Sequence, residues 1–353
     1  MSHNARNRSA SSLTIVKQHL ALLFDKFTVA LIATVLLASL LPCRGQVATA
    51  FGIITQLAIA LLFFMHGAKL SREAIIAGMT HWRLHLLVFL CTFAMFPLLG
   101  LGLLPLAVAT VGTQLALGLL FLCTLPSTVQ SSIAFTSIAH GNVPAAVCSA
   151  SFSSLIGIVL TPLLVNLLIH TQGTTSAPGN AIRDIVLQLF VPFLAGQIAR
   201  RWIGRFVDRH KQVLSLVDRG SILLVVYTAF SAAVVEGLWH RVSLEALLML
   251  AVLCSLLLAI ALFATAQLGK RLGFSREDRI TILFCGSKKS LASGVPMANV
   301  LFASSAVGAI VLPLMLFHQI QLMVCAVLAQ RYALQADAAD VDATVDATMD
   351  AAD

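Results

Sequence analysis

Two adjacent lysines, Lys288 and Lys289, interrupt an otherwise uncharged apolar run, ITILFCGSKKSLASGVPMANVLF, and Ser287, Ser290 and Ser293 stand around them. An ammonium inside a lipid-embedded helix costs from roughly 3 kcal/mol upward, so a residue of this kind marks a functional site by default. The chemistry open to it is to fix a positive charge, to hold an anion, or to give up its proton and so couple to protons. Ser127, Thr128, Gln130, Ser131 and Ser132 form a second polar patch beside Pro126. Hydroxyl and amide oxygens at that density suit ion or substrate contact. The plainer alternative is that single hydroxyls bond to their own helix or to a neighbouring one. For the lysines the plainer alternative is snorkelling to the headgroups. They lie about ten residues past Arg279, roughly 15 Å of helix, which is near the middle of a 30 Å hydrocarbon core.

The elements that position these residues must be membrane helices. Hydrophobic residues make up 59% of the chain and charged ones 11%, against about 25% charged in a soluble domain. Apolar segments of about 20 residues recur along the length. The alternation of a transmembrane barrel is absent, so the fold class is an all-α polytopic membrane protein. The net charge of +8 does not point to nucleic acid, because the basic residues sit in short loops, as topology signals do. The seven cysteines read as small buried residues, with neither a C-x-x-C pair nor zinc spacing, so no metal and no cofactor is expected. The first apolar run follows a basic segment without a small-residue cleavage site and reads as a retained helix.

Ten spans are expected, over about 27–43, 48–68, 84–106, 114–139, 144–170, 183–202, 219–238, 244–268, 279–302 and 305–330. Apart from Arg44, Arg183, Arg241 and the lysine pair, all of the 23 Lys and Arg residues fall in segments placed inside. Both termini are therefore expected in the cytoplasm of a cell whose inner membrane holds the protein. The organisation is an N-terminal segment (1–26), a first five-span unit (27–170), a polar linker (171–182), a second five-span unit (183–332) and an acidic tail (333–353) expected to be disordered. Two units of odd span number insert in opposite senses, which is the pattern of an inverted-repeat transporter. LFLCTLPSTVQSSIAFTSIA (120–139) lies over LFCGSKKSLASGVPMANVLF (283–302) with a one-residue gap before Cys285, placing Cys123 on Cys285, Ser127 on Lys289, Thr128 on Ser290 and Ser131 on Ser293. Each is the fourth span of its unit and carries Pro, Gly, Ser and Thr at mid-membrane. Interrupted helices at matched places in two halves are the best pointer in a sequence to a transporter's binding site.

At these segments the chain resembles the bile acid:sodium symporter family, solute carrier family 10, and in particular its member-7-like bacterial branch. The strings that carry the resemblance are CGSKKSLASGVPMANVLF, LCTLPSTVQSSIAFTSIAHGNVPAAV and VPFLAGQIAR. It implies a ten-helix, sodium/proton-antiporter-like fold with a panel domain of spans 1, 2, 6 and 7 and a core domain of the rest. Spans 4 and 9 would cross at their breaks, and substrate would bind between panel and core. On that layout Gln56 and Gln188 face the substrate cavity, together with Asn299 and His318. His66, beside Lys69, reads as an interfacial residue, and Glu236 as a solvated outer end. The chain departs from the sodium-coupled members in one respect. Their ninth span carries a Glu and a Gln that help bind sodium, whereas here the Gln position falls on Lys288. No acidic residue occurs between Asp278 and Asp337. An ammonium at the broken helices is thus expected to stand where relatives hold Na+.

The expected function is secondary active transport of an organic anion or amphipathic solute by alternating access. The rivals are a cation/proton antiporter of the same fold, or a regulatory membrane protein that affects ion homeostasis. A membrane enzyme is not expected, since no H-E-x-x-H, paired Asp or nucleophile–base spacing is present.

Overall fold

The computed structural model describes residues 26–69, 81–169 and 186–350. The expected N-terminal segment up to residue 25 and the linker 171–182 lie outside the described residues. Within them the chain is helical: α1 (Lys26–Leu40), α2 (Gly45–Lys69), α3 (Trp82–Val111), α4 (Thr113–Thr124), α5 (Gln130–Ile138), α6 (Val143–Leu168), α7 (Val191–Arg209), α8 (Lys211–Val235), the single turn α9 (Leu238–Arg241), α10 (Leu244–Arg271), α11 (Arg276–Gly286), α12 (Leu291–Leu301) and α13 (Ser304–Asp350). Among the described residues six helices are long and apolar enough to cross a membrane: α2, α3, α6, α8, α10 and the part of α13 up to Gln335.

Several starts are written in the sequence. Asn142, Ser243 and Ser275 each accept a backbone N–H three residues on, from Ala145, Ala246 and Asp278, which satisfies a donor that a helix start leaves free. α13 runs on to Asp350, through the acidic repeat expected to be disordered. The repeat is rich in alanine, the best helix former, and it follows directly on an established helix.

Helices α1, α2, α7 and α8 pack on one another, α2 most closely on α7. That contact depends on Gly67 and Gly196. A Cβ on Gly67 would collide with the Phe193 carbonyl, and one on Gly196 with the Phe64 carbonyl. Helices α3 to α6 and α10 to α13 form the other group, with α13 against α4, α5, α10 and α12, and α11 against α3, α5, α6 and α10. The main buried core lies here, around Phe96, Phe121, Leu257 and Phe317. α8 joins the two groups by packing on α12 and α13.

Candidate functional site

Two helix breaks meet in the second group. The first opens after Thr124, where Leu125 is extended (φ −74°, ψ 155°). Pro126 enforces this, because its ring disfavours the helical region for the residue before it. The second opens after Gly286 and Ser287, both weak helix formers, and α12 restarts at Leu291 with Ser290 accepting from the Ser293 N–H at 3.2 Å. The breaks are joined directly, since Ser290 N–H donates to the Pro126 carbonyl at 2.9 Å.

A helix that stops inside a protein leaves carbonyls without partners at its C-terminal end, and a partial negative charge with them. Here each break supplies caps for the other. Ser127 Oγ donates to the Cys285 carbonyl (2.6 Å) and Ser132 Oγ to that of Phe284 (3.0 Å), at the end of α11. Lys289 Nζ donates to the Cys123 carbonyl (2.9 Å) and the Leu125 carbonyl (2.7 Å), at the end of α4. Its third bond goes to the Thr92 carbonyl at 2.7 Å.

That third acceptor is freed by local chain chemistry. α3 contains a π-turn over Cys91–Met95, in which Phe96 N–H reaches back to Cys91 O. The next donor in such a turn would come from residue 97, which is proline and has no N–H. Thr92 O is therefore left to the ammonium. Phe96 also lays its ring 4.2 Å from Lys289 Nζ. Lys289 is wholly buried, yet its three donors are all used. Hydrogen bonds to a charged group contribute about 1.5–3 kcal/mol each, so three of them are of the order needed to offset an effective burial penalty of several kcal/mol.

Lys288 is equally buried but held differently. Its Nζ donates to Ser131 O at 2.9 Å and sits over the rings of Phe135 (4.0 Å) and Phe284 (5.3 Å). Both lysines are therefore far from snorkelling.

A cavity of about 490 Å³ lies beside the breaks, bounded on one side by α2 and α8 and on the other by α5, α6, α12 and α13. Of the residues expected at the site, Thr128, Gln130, Ser131, Ser290, Ser293 and His318 line it. Ser127, Ser132 and Ser287 are buried in the break instead, Ser287 bonding back to Leu283 O at 2.6 Å. Neither Lys288 nor Lys289, expected in the crossing region, lines the cavity. Gln56, Gln188 and Asn299 also lie off its wall. Gln56 is exposed, while its neighbour Thr55 turns inward to Thr228 at 3.2 Å. His66, expected at the interface, lines the cavity with Lys69.

Two contributors escape the sequence reading. Gln321 is fully buried and brackets the backbone of Lys289, its Oε1 accepting from Lys289 N–H (3.0 Å) and its Nε2 donating to Lys289 O (2.9 Å). This fixes the amide, so the second N–H of Nε2 points to His318 Nδ1 at 2.9 Å. Nδ1 is then an acceptor, and Nε2 carries the ring proton. The available signal is the His318-x-x-Gln321 spacing, which puts both on one helix face. Asp218 and Arg219 are the other omission, and they line the cavity from α8.

The chain has relatives among known proteins. An uncharacterized protein of Pseudomonas aeruginosa PAO1 is 70% identical over 313 residues, covering 89% of this chain and 94% of the relative. YfeH of Escherichia coli K12, which carries a provisional symporter name, is 56% identical over 315 residues, or 89% of this chain and 95% of that one. Sodium/bile acid cotransporter 7 of Rattus norvegicus is 31% identical over 282 residues, 78% of this chain and 82% of that protein. The family model for SBF-like CPA transporters matches residues 25–334. The residues matched take in both helix breaks, the lysine cradle and the cavity, and this multi-pass membrane protein belongs to the SBF-like CPA transporter family.

Proposed function

We propose that the protein is a secondary active transporter that moves an organic anion or amphipathic solute by alternating access, with Lys289 in the place of a bound cation. The observation that carries this reading is the lysine cradle. Three backbone carbonyls, from the end of α4 and from the π-turn of α3, converge on one ammonium. Such a cluster of oxygens at a broken helix suits a monovalent cation. Here the cation is tethered to the chain, so it needs no sodium gradient to deliver it.

On this reading the chain has ten spans in two inverted five-helix repeats, residues 27–170 and 183–332, with both termini in the cytoplasm. Helices α1, α2, α7 and α8 are the panel, and the remaining long helices are the core. The reciprocal capping at the breaks supports the repeat. Ser127 caps Cys285 as Lys289 caps Cys123, and the sequence alignment pairs those residues. The 490 Å³ cavity sits between the two groups of helices, where motion of one against the other would expose it to alternate sides.

The test is the purified protein in liposomes under a sodium gradient, a proton gradient or neither, paired with melting in detergent in NaCl and in choline chloride. Solute uptake without sodium dependence, and equal melting in the two salts, is the expected result. Stabilisation by Na+ in the wild type would overturn the assignment of Lys289.

A further inference from the structure

The cavity holds an ion pair that the lysine cradle does not involve. Lys69 Nζ of α2 donates to Asp218 Oδ2 of α8, and both residues line the cavity. Asp218 is the only carboxylate among the described residues lining it, beside Lys69, Arg219, His66 and His318. Its other oxygen, Oδ1, is buried with no partner. A pair kept for stability would engage both oxygens, because an unpaired buried acceptor costs free energy. Asp218 thus makes a single hydrogen bond, to Lys69, with His66 the other basic group acting on it. The guanidinium of the next residue, Arg219, lies over the Phe27 ring at 5.7 Å. Across from these cations α6 gives apolar surface from Leu155 and Ile158, and Ser131 and Ser154 give hydroxyls, while Phe63 and Phe193 flank the cations on their own side.

We infer that Lys69 and Arg219 form the anion-binding subsite of the cavity, and that Asp218 holds Lys69 in the substrate's absence. A carboxylate or sulfonate entering the cavity takes the Lys69 ammonium from Asp218 and adds Arg219, while its apolar body lies against the opposite wall. The fit is to an amphipathic organic anion. Asp218 is an internal competitor, which sets the affinity low enough for release and repels anions when Lys69 is absent. The inference deepens the transporter reading and relocates its charge recognition from the buried lysine pair to the cavity wall.

The experiment is equilibrium binding of radiolabelled 4-phenylbutyrate to the full-length protein in detergent, with unlabelled 4-phenylbutyramide as the neutral competitor. Asp218→Asn is expected to bind the anion more tightly, and Lys69→Gln about tenfold more weakly, the loss of one charge-assisted hydrogen bond in a partly solvated site. Lys69→Gln leaves Asp218 unpaired and could unfold. The double variant Lys69→Gln/Asp218→Asn keeps the cavity's net charge and is compared with Asp218→Asn alone, so that only the Lys69 charge differs. Equal binding by those two would overturn the subsite, as would weaker anion binding in Asp218→Asn. Liposome uptake separates the two proposals. Binding with this order of affinities but no uptake sinks the transporter reading and leaves the subsite standing. Uptake that Lys69 and Arg219 variants leave unchanged does the reverse.

Discussion

Lys289 Nζ lies 2.9 Å from the carbonyl oxygen of Cys123, at the end of the helix that enters the opposite break. Its counterpart by internal alignment, Ser127, makes the mirror contact to Cys285 at 2.6 Å. A further pair repeats the relation, Thr128 with Ser131 at 2.8 Å and Ser290 with Ser293 at 3.2 Å. The two breaks thus carry one plan with one substitution in it. Where the first uses a hydroxyl the second uses an ammonium, and the longer side chain reaches two further carbonyls, those of Leu125 and Thr92.

Removing that ammonium should turn the cradle into a sodium site. Lys289→Ala leaves three carbonyls aimed at a space without a donor, at a cost of about 3 kcal/mol or more. Melting of the variant in choline chloride is expected well below that of the wild type. In NaCl the loss should be partly restored, because a small cation can take the vacated oxygens, whereas the wild type should not respond. A variant indifferent to sodium and as stable as wild type would show that the carbonyls do not act as a cation cradle.

Gln321 holds the break that carries Lys289, through both its N–H and its C=O. Gln321→Leu keeps the volume and orphans both backbone groups, as well as the acceptor on His318. Two unsatisfied buried groups cost about 2–6 kcal/mol together. Gln321→Glu retains the acceptor for Lys289 N–H but gives up both amide donors. The expected order of melting temperature is wild type, then Glu, then Leu, with uptake following the same order.

Most of the helices and both breaks were legible in the sequence because they follow from runs and punctuation. The apolar runs mark the helices, Pro126 and Gly286 mark the interruptions, and Lys288 and Lys289 are conspicuous at that depth. Partners were not legible, for physical reasons. Thr92 contributes a backbone oxygen, which no side-chain pattern reports, and only Pro97 five residues on gives it away. Gln321 is one amide in an apolar helix, which usually means a helix–helix bond. Lys69 and Arg219 stand among other basic residues near helix ends, where they read as topology signals. The resemblance places Gln56 at the cavity, but adjacent residues of a helix point about 100° apart, and Thr55, buried against Thr228, holds the inward position. A layout known only to within a residue cannot make that choice.

The contact of α2 with α7 makes a sharp demand on Gly196. Alanine there would drive its methyl into the Phe64 carbonyl, which is backbone and cannot turn aside. Gly196→Ala is expected to cost about 1–3 kcal/mol, or more if α7 must shift as a whole. Gly220 in α8 has nothing within 4 Å of a built Cβ. Gly220→Ala should stabilise by about 0.5–1 kcal/mol through helix propensity alone. The two variants differ in sign although both are glycine to alanine within helices, and melting in one detergent compares them directly. Destabilisation by both would mean that backbone freedom, rather than close approach, governs these positions.

Pro97 offers the strongest contrast between stability and function. Proline within a helix is ordinarily destabilising by about 3 kcal/mol, so its replacement is ordinarily tolerated or favourable. In α3 it performs a specific task, denying Thr92 O a backbone donor so that Lys289 can use it. Pro97→Ala supplies an N–H that can bond Thr92 O within the helix, and the ammonium then loses one of its three carbonyls. Melting should be held or raised while uptake falls. The sodium response tells a competing bond from simple repacking, because Lys289 still fills the cradle and Pro97→Ala should remain insensitive to NaCl, unlike Lys289→Ala. If Pro97→Ala transports as well as wild type, the Thr92 carbonyl contributes packing only, and the cradle rests on the two carbonyls at the end of α4.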